Sequence, residues 1–163
     1  MRKNILIISF IFLFCRINAT NKIIAEGFIV TNNTEIPIYT DSLTNEIKYV
    51  IFQDTIFEHF YELNIYEESS LRYKVEIQCV SQYNSPYIEG WIDKKNCGVF
   101  ILFRRENKLF NAPNKDASYI LIDNQDEVKA TLISVFGEYI KVGFYLDKKY
   151  YEGWVKDYLC KEI

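Results

Sequence analysis

The chain has one histidine, His59, and none of its four cysteines forms a Cys-x-x-Cys pair. Neither the usual zinc ligand sets nor a thioredoxin-like redox pair is indicated. There is no glycine-rich phosphate loop, no Gly-x-Ser-x-Gly, no His-Glu-x-x-His and no Asp-x-Asp-x-Asp-Gly. Phosphate cradling, serine hydrolysis, zinc proteolysis and EF-hand calcium binding therefore lack their signatures. Excess positive charge is absent too: 19 basic residues face 22 acidic ones, and no basic run is interleaved with aromatics. Such a surface has no bias toward nucleic acid or anionic lipid. No linker rich in Pro, Gly or Ser divides the chain.

Long apolar runs are also missing. The one clear run, Ile5 to Cys15, has eleven residues broken only by Ser9. As a helix it reaches about 17 Å, short of a hydrocarbon core of roughly 30 Å. Arg2 and Lys3 precede it and Ile17-Asn18-Ala19 follows. This is the pattern of a signal peptide over residues 1–19, cut after Ala19. A retained anchor is the weaker alternative. A lipidated Cys15 is weaker still, because Leu13, Phe14 and Arg16 flank it instead of small residues. Export to the periplasm, the cell surface or the medium is expected, without stable membrane insertion after cleavage. Export permits disulfides. Cys79, Cys97 and Cys160 allow three single bridges, and the sequence does not choose among them.

What remains reads as β. Short runs rich in Ile, Val, Tyr, Phe and Thr recur at Ile24–Thr31, Ile47–Phe52, Leu71–Val80, Ser118–Ile122, Val128–Val135 and Tyr139–Leu146. Thr55–Leu63 is read as a further strand. In Leu71–Val80 the residues Val75, Ile77 and Cys79 face one way, and Lys74, Glu76 and Gln78 the other. A fold class of all-β follows.

One rare tripeptide occurs twice. Glu89-Gly90-Trp91 leads to Cys97, and Glu152-Gly153-Trp154 leads to Cys160, with six residues from Trp to Cys in each. Upstream, Lys74-Val75 matches Lys141-Val142, with four extra residues in the first copy around Gln82 to Pro86. Ile38-Tyr39 matches Leu109-Phe110 in the same order. An internal duplication is expected, with modules at 20–97 and 98–163 tightly joined at Cys97-Gly98.

The second copy resembles the bacterial SH3-like domain family. Leu109-Phe110-Asn111-Ala112-Pro113 fits the family's opening, Tyr139-Ile140-Lys141-Val142 its central strand, and Gly153-Trp154-Val155 with Tyr158-Leu159 its close. The likeness covers roughly Val99 to Ile163. The first copy looks like a diverged relative, with Gly90-Trp91-Ile92 but Lys95-Asn96 in place of Tyr-Leu. The resemblance implies two tandem small barrels. In physical terms, Gly permits a close backbone approach where the strand turns, and Trp caps the core beside it. The resemblance also implies a ligand groove floored by the residue that opens the central strand. That residue is Tyr139 in the second copy and Arg72 in the first. Tyr150 and Tyr151, with Tyr83 and Tyr87 in the first copy, are further groove candidates. Each tyrosine has packing within the barrel as its alternative role.

His59 with Cys79, Cys97 or Cys160 is an arithmetically possible nucleophile pair. The equivalent positions of Cys97 and Cys160 argue for a structural role, and the inward face shared by Cys79 argues for a buried thiol. Glu67-Glu68 and Asp123 to Glu127 read as solvated turns. No catalytic residue, metal or cofactor is expected. The leading reading is a non-catalytic binding module for cell-wall glycan or peptide, or for an envelope protein. The alternative is a structural, interaction or inhibitor protein without a small ligand.

Overall fold

Alternation of apolar and polar residues sets the architecture. The computed structural model describes residues 22–31, 33–52, 61–80, 86–103, 108–123, 127–156 and 158. Residues 1–21, Cys15 among them, and His59, Tyr83 and Cys160 lie outside the described residues. Among the described residues twelve strands form one antiparallel sheet that does not close. They are β1 (Ala25–Ile29), β2 (Glu35–Tyr39), β3 (Ile47–Phe52), β4 (Tyr61–Glu68), β5 (Arg72–Cys79), β6 (Ile88–Asp93), β7 (Cys97–Leu102), β8 (Lys108–Phe110), β9 (Tyr119–Leu121), β10 (Glu127–Phe136), β11 (Tyr139–Leu146) and β12 (Lys149–Val155). One 3₁₀ turn, Lys94–Asn96, links β6 to β7. The neighbour order is β3-β2-β6-β5-β4-β1-β7-β10-β11-β12-β8-β9.

Each half is built on a three-strand meander, β4-β5-β6 and β10-β11-β12, whose inner face carries the apolar residues. On β5, Tyr73, Val75, Ile77 and Cys79 are buried while Lys74, Glu76 and Gln78 are half-exposed, as the alternation predicts. On β11, Ile140, Val142 and Phe144 are buried and Leu146 is half-buried. Fully burying one such side chain stabilises the fold by about 1.5–3 kcal/mol relative to exposure. A single cluster of buried side chains runs from Ala25 and Ile36 through Ile65, Val75 and Cys97 to Leu132, Val142 and Val155.

The junction between the halves is a strand. Cys97 and Gly98 open β7, which pairs with β1 on one side (Phe28↔Gly98, Ile29↔Cys97) and with β10 on the other (Thr131↔Gly98 to Glu127↔Leu102). Phe28 and Phe100 stack across that pairing with centroids 4.1 Å apart. The expected boundary at Cys97-Gly98 therefore falls within a strand shared by both halves.

The meanders also align in register. Lys74 is opposite Trp91 and Trp91 opposite Tyr39; Lys141 is opposite Trp154 and Trp154 opposite Phe110. A Cβ on Gly90 would lie 3.0 Å from the Tyr39 carbonyl oxygen, and one on Gly153 would lie 2.9 Å from the Phe110 carbonyl oxygen. Glycine thus permits the close crossing of β2 over β6 and of β8 over β12. Trp91 and Trp154 differ from expectation. Each is half-buried, and on β12 Trp154 faces opposite to the buried pair Gly153 and Val155. Strand alternation puts it on the outer surface rather than over the core.

Candidate functional site

The outer face of the C-terminal meander carries the candidate site. On β11 the outward positions are Tyr139, Lys141, Gly143 and Tyr145; on β12 they are Tyr150, Glu152 and Trp154. Tyr139 is opposite Phe136 at the end of the β10–β11 hairpin. Its ring meets Phe110 edge-on, 6.0 Å between centroids, and Phe110 meets Tyr119 in the same manner at 5.7 Å. Tyr145 and Tyr150 are opposite each other, with centroids 5.2 Å apart. Phe136, Tyr119, Tyr145 and Tyr150 are exposed, Tyr145 at 72%. The Tyr150 hydroxyl donates to Glu152 Oε2. Burial, and then the neighbouring Glu152, push the Tyr150 phenol above its ordinary value. The Lys141 ammonium holds the Glu152 carboxyl below its ordinary value.

Of the sequence candidates, the structure brings Tyr139 and Tyr150 onto one face. Tyr151 is on the other: it stacks on buried Phe144, centroids 5.6 Å apart, and packs against the core. Adjacent residues of one strand point to opposite faces, so the two tyrosines have different surroundings. Tyr87 is exposed just before β6, in the other half of the sheet. Phe136, Tyr119 and Tyr145 were missed. Tyr145 was within reach, since it follows Tyr139 by an even number of residues on the same strand.

Arg72 is not an open groove floor. It is buried, and its guanidinium centre lies 3.5 Å from the Tyr39 ring centroid. Nε donates to Asp93 Oδ1 at 3.0 Å, Nη2 to Asn45 Oδ1 at 2.8 Å, and Nη1 to the carbonyls of Asp41 and Thr44. Three of these four donations tie the β2–β3 loop to the meander, and together they leave little of the cation for a ligand.

Beside the outer face lies a cleft of about 530 Å³ between the two halves. Glu68, Ser70, Lys94 and Lys95 line it from the first half, and Thr131, Leu132, Ile133, Ser134, Lys141 and Trp154 from the second. Part of its lining is one cross-strand row, Ser134–Lys141–Trp154, which continues to Phe110. Glu68 spans the halves: Oε1 takes Lys94 Nζ and Oε2 accepts the Val135 N–H at 2.9 Å. No group of His, Cys, Asp and Glu suited to a metal ion occurs among the described residues. Comparison with protein-family models, curated proteins and solved structures finds no match.

Proposed function

We propose that this chain is a non-catalytic, exported binding protein built of two tandem SH3-like barrels. It would recognise cell-wall glycan or peptide, or an envelope protein, through the outward aromatic face of its C-terminal half. One observation carries the reading. At one end of the meander's outer face exposed Phe136 and Tyr119 stand beside half-buried Tyr139 and Phe110, and at the other end Tyr145 and Tyr150 form an exposed pair. Clustered exposed aromatics mark docking surfaces, since they supply large contact area at low entropic cost.

The two-barrel reading draws support from the matching halves. Strands β1–β6 and β7–β12 have the same neighbour order, mirrored about the β1–β7 pair. The Lys–Trp–aromatic row and the glycine crossing recur in each. The Thr40 N–H donates to Glu46 O and the Asn111 N–H to Ser118 O, so both short hairpins close alike. The export reading rests on residues 1–19 of the sequence alone.

The test is a pull-down of the full chain on purified peptidoglycan sacculi, with a solubilised envelope extract alongside. Tyr145→Ala with Tyr150→Ala should cut retention about tenfold, from roughly 0.5–1.5 kcal/mol per aromatic contact, without lowering the melting temperature. Retention on neither material, or equal retention of wild type and variant, would overturn the reading.

A second reading, an interaction protein without a small ligand, has its own observation. Among the described residues the sheet ends at β3 and β9, with no further strand paired beyond either. On β9, Tyr119, Ile120 and Leu121 are all exposed; on β3, Ile47, Tyr49, Val50 and Phe52 are. Such edges offer main-chain pairing to a partner strand. Loss of envelope-protein capture in Ile120→Lys, with capture kept by the Tyr145/Tyr150 variant, would favour it.

A further inference from the structure

We infer that the cleft between the two halves binds a carboxylate-bearing saccharide, with the Trp154 ring as its stacking wall and Lys95 and Lys141 as its cationic contacts. This rests on the binding reading above and assigns it a ligand class and a second surface, continuous with the aromatic face through Trp154.

Three lysines and one glutamate line the cleft. The glutamate is already committed, since Glu68 takes both the Lys94 ammonium and the Val135 N–H. The lysines are engaged to different degrees. Lys94 is bonded to Glu68, and its ammonium lies 4.9 Å from the Tyr73 ring centroid. Lys141 is paired with Glu152, whose side chain is 41% exposed and which does not line the cleft. Lys95 Nζ is 3.9 Å from Asp93 Oδ2, while Asp93 Oδ1 takes Arg72 Nε at 3.0 Å. The Lys95 side chain is 73% exposed. An ammonium carries three donors, so paired lysines keep protons for a ligand. The cleft thus presents positive charge on a chain of net charge −3.

The equivalent row of the first half differs in the way this assignment requires. There the residue opposite Lys74 is Glu67, and the two are ion-paired; in the second half the residue opposite Lys141 is Ser134. In the first half the Tyr39 ring is covered by Arg72, whereas its counterpart Phe110 makes T-shaped contacts with Tyr139 and Tyr119. An acid of the first half's row is thus replaced by a hydroxyl that lines the cleft. A half-buried indole beside the hydroxyls of Ser70, Thr131 and Ser134 suits the apolar face and hydroxyls of a sugar ring better than a peptide backbone.

The test uses the full chain carrying Trp91→Phe, which leaves Trp154 the single tryptophan. Its emission is titrated with hexagalacturonate, neutral chitohexaose and hexaglutamate. Hexagalacturonate should shift and quench the emission at concentrations where the other two do not. Lys95→Gln should weaken its binding by about threefold, Lys95→Glu by more, and added salt should weaken it as well. Both Lys95 substitutions are at an exposed position, and unchanged melting confirms the fold. Equal response to chitohexaose would overturn the role of charge. Equal or tighter binding of hexaglutamate would assign the cleft to acidic peptide instead, and an unchanged affinity in Lys95→Glu would remove the site. Sacculus retention is read separately: retention with no uronate response overturns this inference alone, and loss of both overturns the binding reading too.

Discussion

The Arg72 guanidinium lies 3.5 Å from the centre of the Tyr39 ring, and the residue matching it in the second half, Tyr139, meets the Phe110 ring edge-on. The same position on the two meanders thus does two jobs. In the first half it is a buried tie among Asp93, Asn45 and the carbonyls of Asp41 and Thr44. In the second it is part of an outward aromatic row.

Removing the tie should therefore be costly. Arg72→Ala leaves Asp93 and two loop carbonyls without their donor. A fully buried pair broken on one side loses roughly 3–5 kcal/mol. Asp93 keeps 23% of its side-chain exposure, so a loss of about 2–3 kcal/mol is expected from chemical denaturation, with little change in the second half's amide spectrum. A loss below 0.5 kcal/mol, the ordinary range of surface substitutions, would show that the loop holds without Arg72.

The repeated glycines give a paired test. A Cβ on Gly153 would lie 2.5 Å from Leu109 Cγ as well as 2.9 Å from the Phe110 carbonyl oxygen. The side chain can shift, but the carbonyl belongs to β8 itself. Gly153→Ala and Gly90→Ala should each destabilise by about 1–3 kcal/mol through overpacking. Gly137 has φ of 60° but open space around it, so Gly137→Ala should lose only about 1–2 kcal/mol of backbone origin. Thermal melts of the three variants check these losses, and a neutral Gly153→Ala would contradict the close crossing.

Local pattern was legible in the sequence; non-local pairing was not. β3 and β11 occupy the expected Ile47–Phe52 and Tyr139–Leu146, and the inward set Val75, Ile77 and Cys79 follows from alternation. Tyr150 and Tyr151 were grouped as neighbours in sequence although strand geometry separates them. The role of Arg72 depends on a loop some thirty residues upstream returning to it, and no period in the sequence encodes that return. The cleft joins residues from both halves, and its existence depends on β1 pairing with β7, which the apparent joint at Cys97-Gly98 conceals.

That pairing predicts how the protein unfolds. The halves share β7, the Phe28–Phe100 stack, the Glu68 bond to the Val135 N–H and the Tyr73 hydroxyl's donation to Leu132 O at 3.5 Å. One cluster of buried side chains crosses the junction. Calorimetry should show one transition whose calorimetric and van't Hoff enthalpies agree. A 98–163 fragment should lack native near-ultraviolet dichroism, because it exposes Phe100 and the free edge of β7. Two resolved transitions, or a natively folded fragment, would mean the halves are independent.

Acid should loosen the β2–β3 loop at a defined point. Asp41 Oδ1 accepts the N–H groups of Leu43 and Thr44, and Oδ2 accepts the Thr44 hydroxyl. These bonds, the Thr44 N–H foremost, hold the carboxyl below its ordinary 3.8. A depressed folded value means that the contribution is complete above 3.8 and is lost as pH falls through the lowered value. The Leu43 and Thr44 amide resonances should therefore titrate together, with a midpoint under 3.8, and stay flat from there to neutrality. Asp41→Asn keeps one carbonyl acceptor and should abolish that titration while holding the turn; Asp41→Ala should release it. Because Arg72 donates to the Asp41 and Thr44 carbonyls from the meander side, the loosened loop should stay attached there. A midpoint at or above 3.8, or a loop that detaches while Arg72 is intact, would refute this account of the loop.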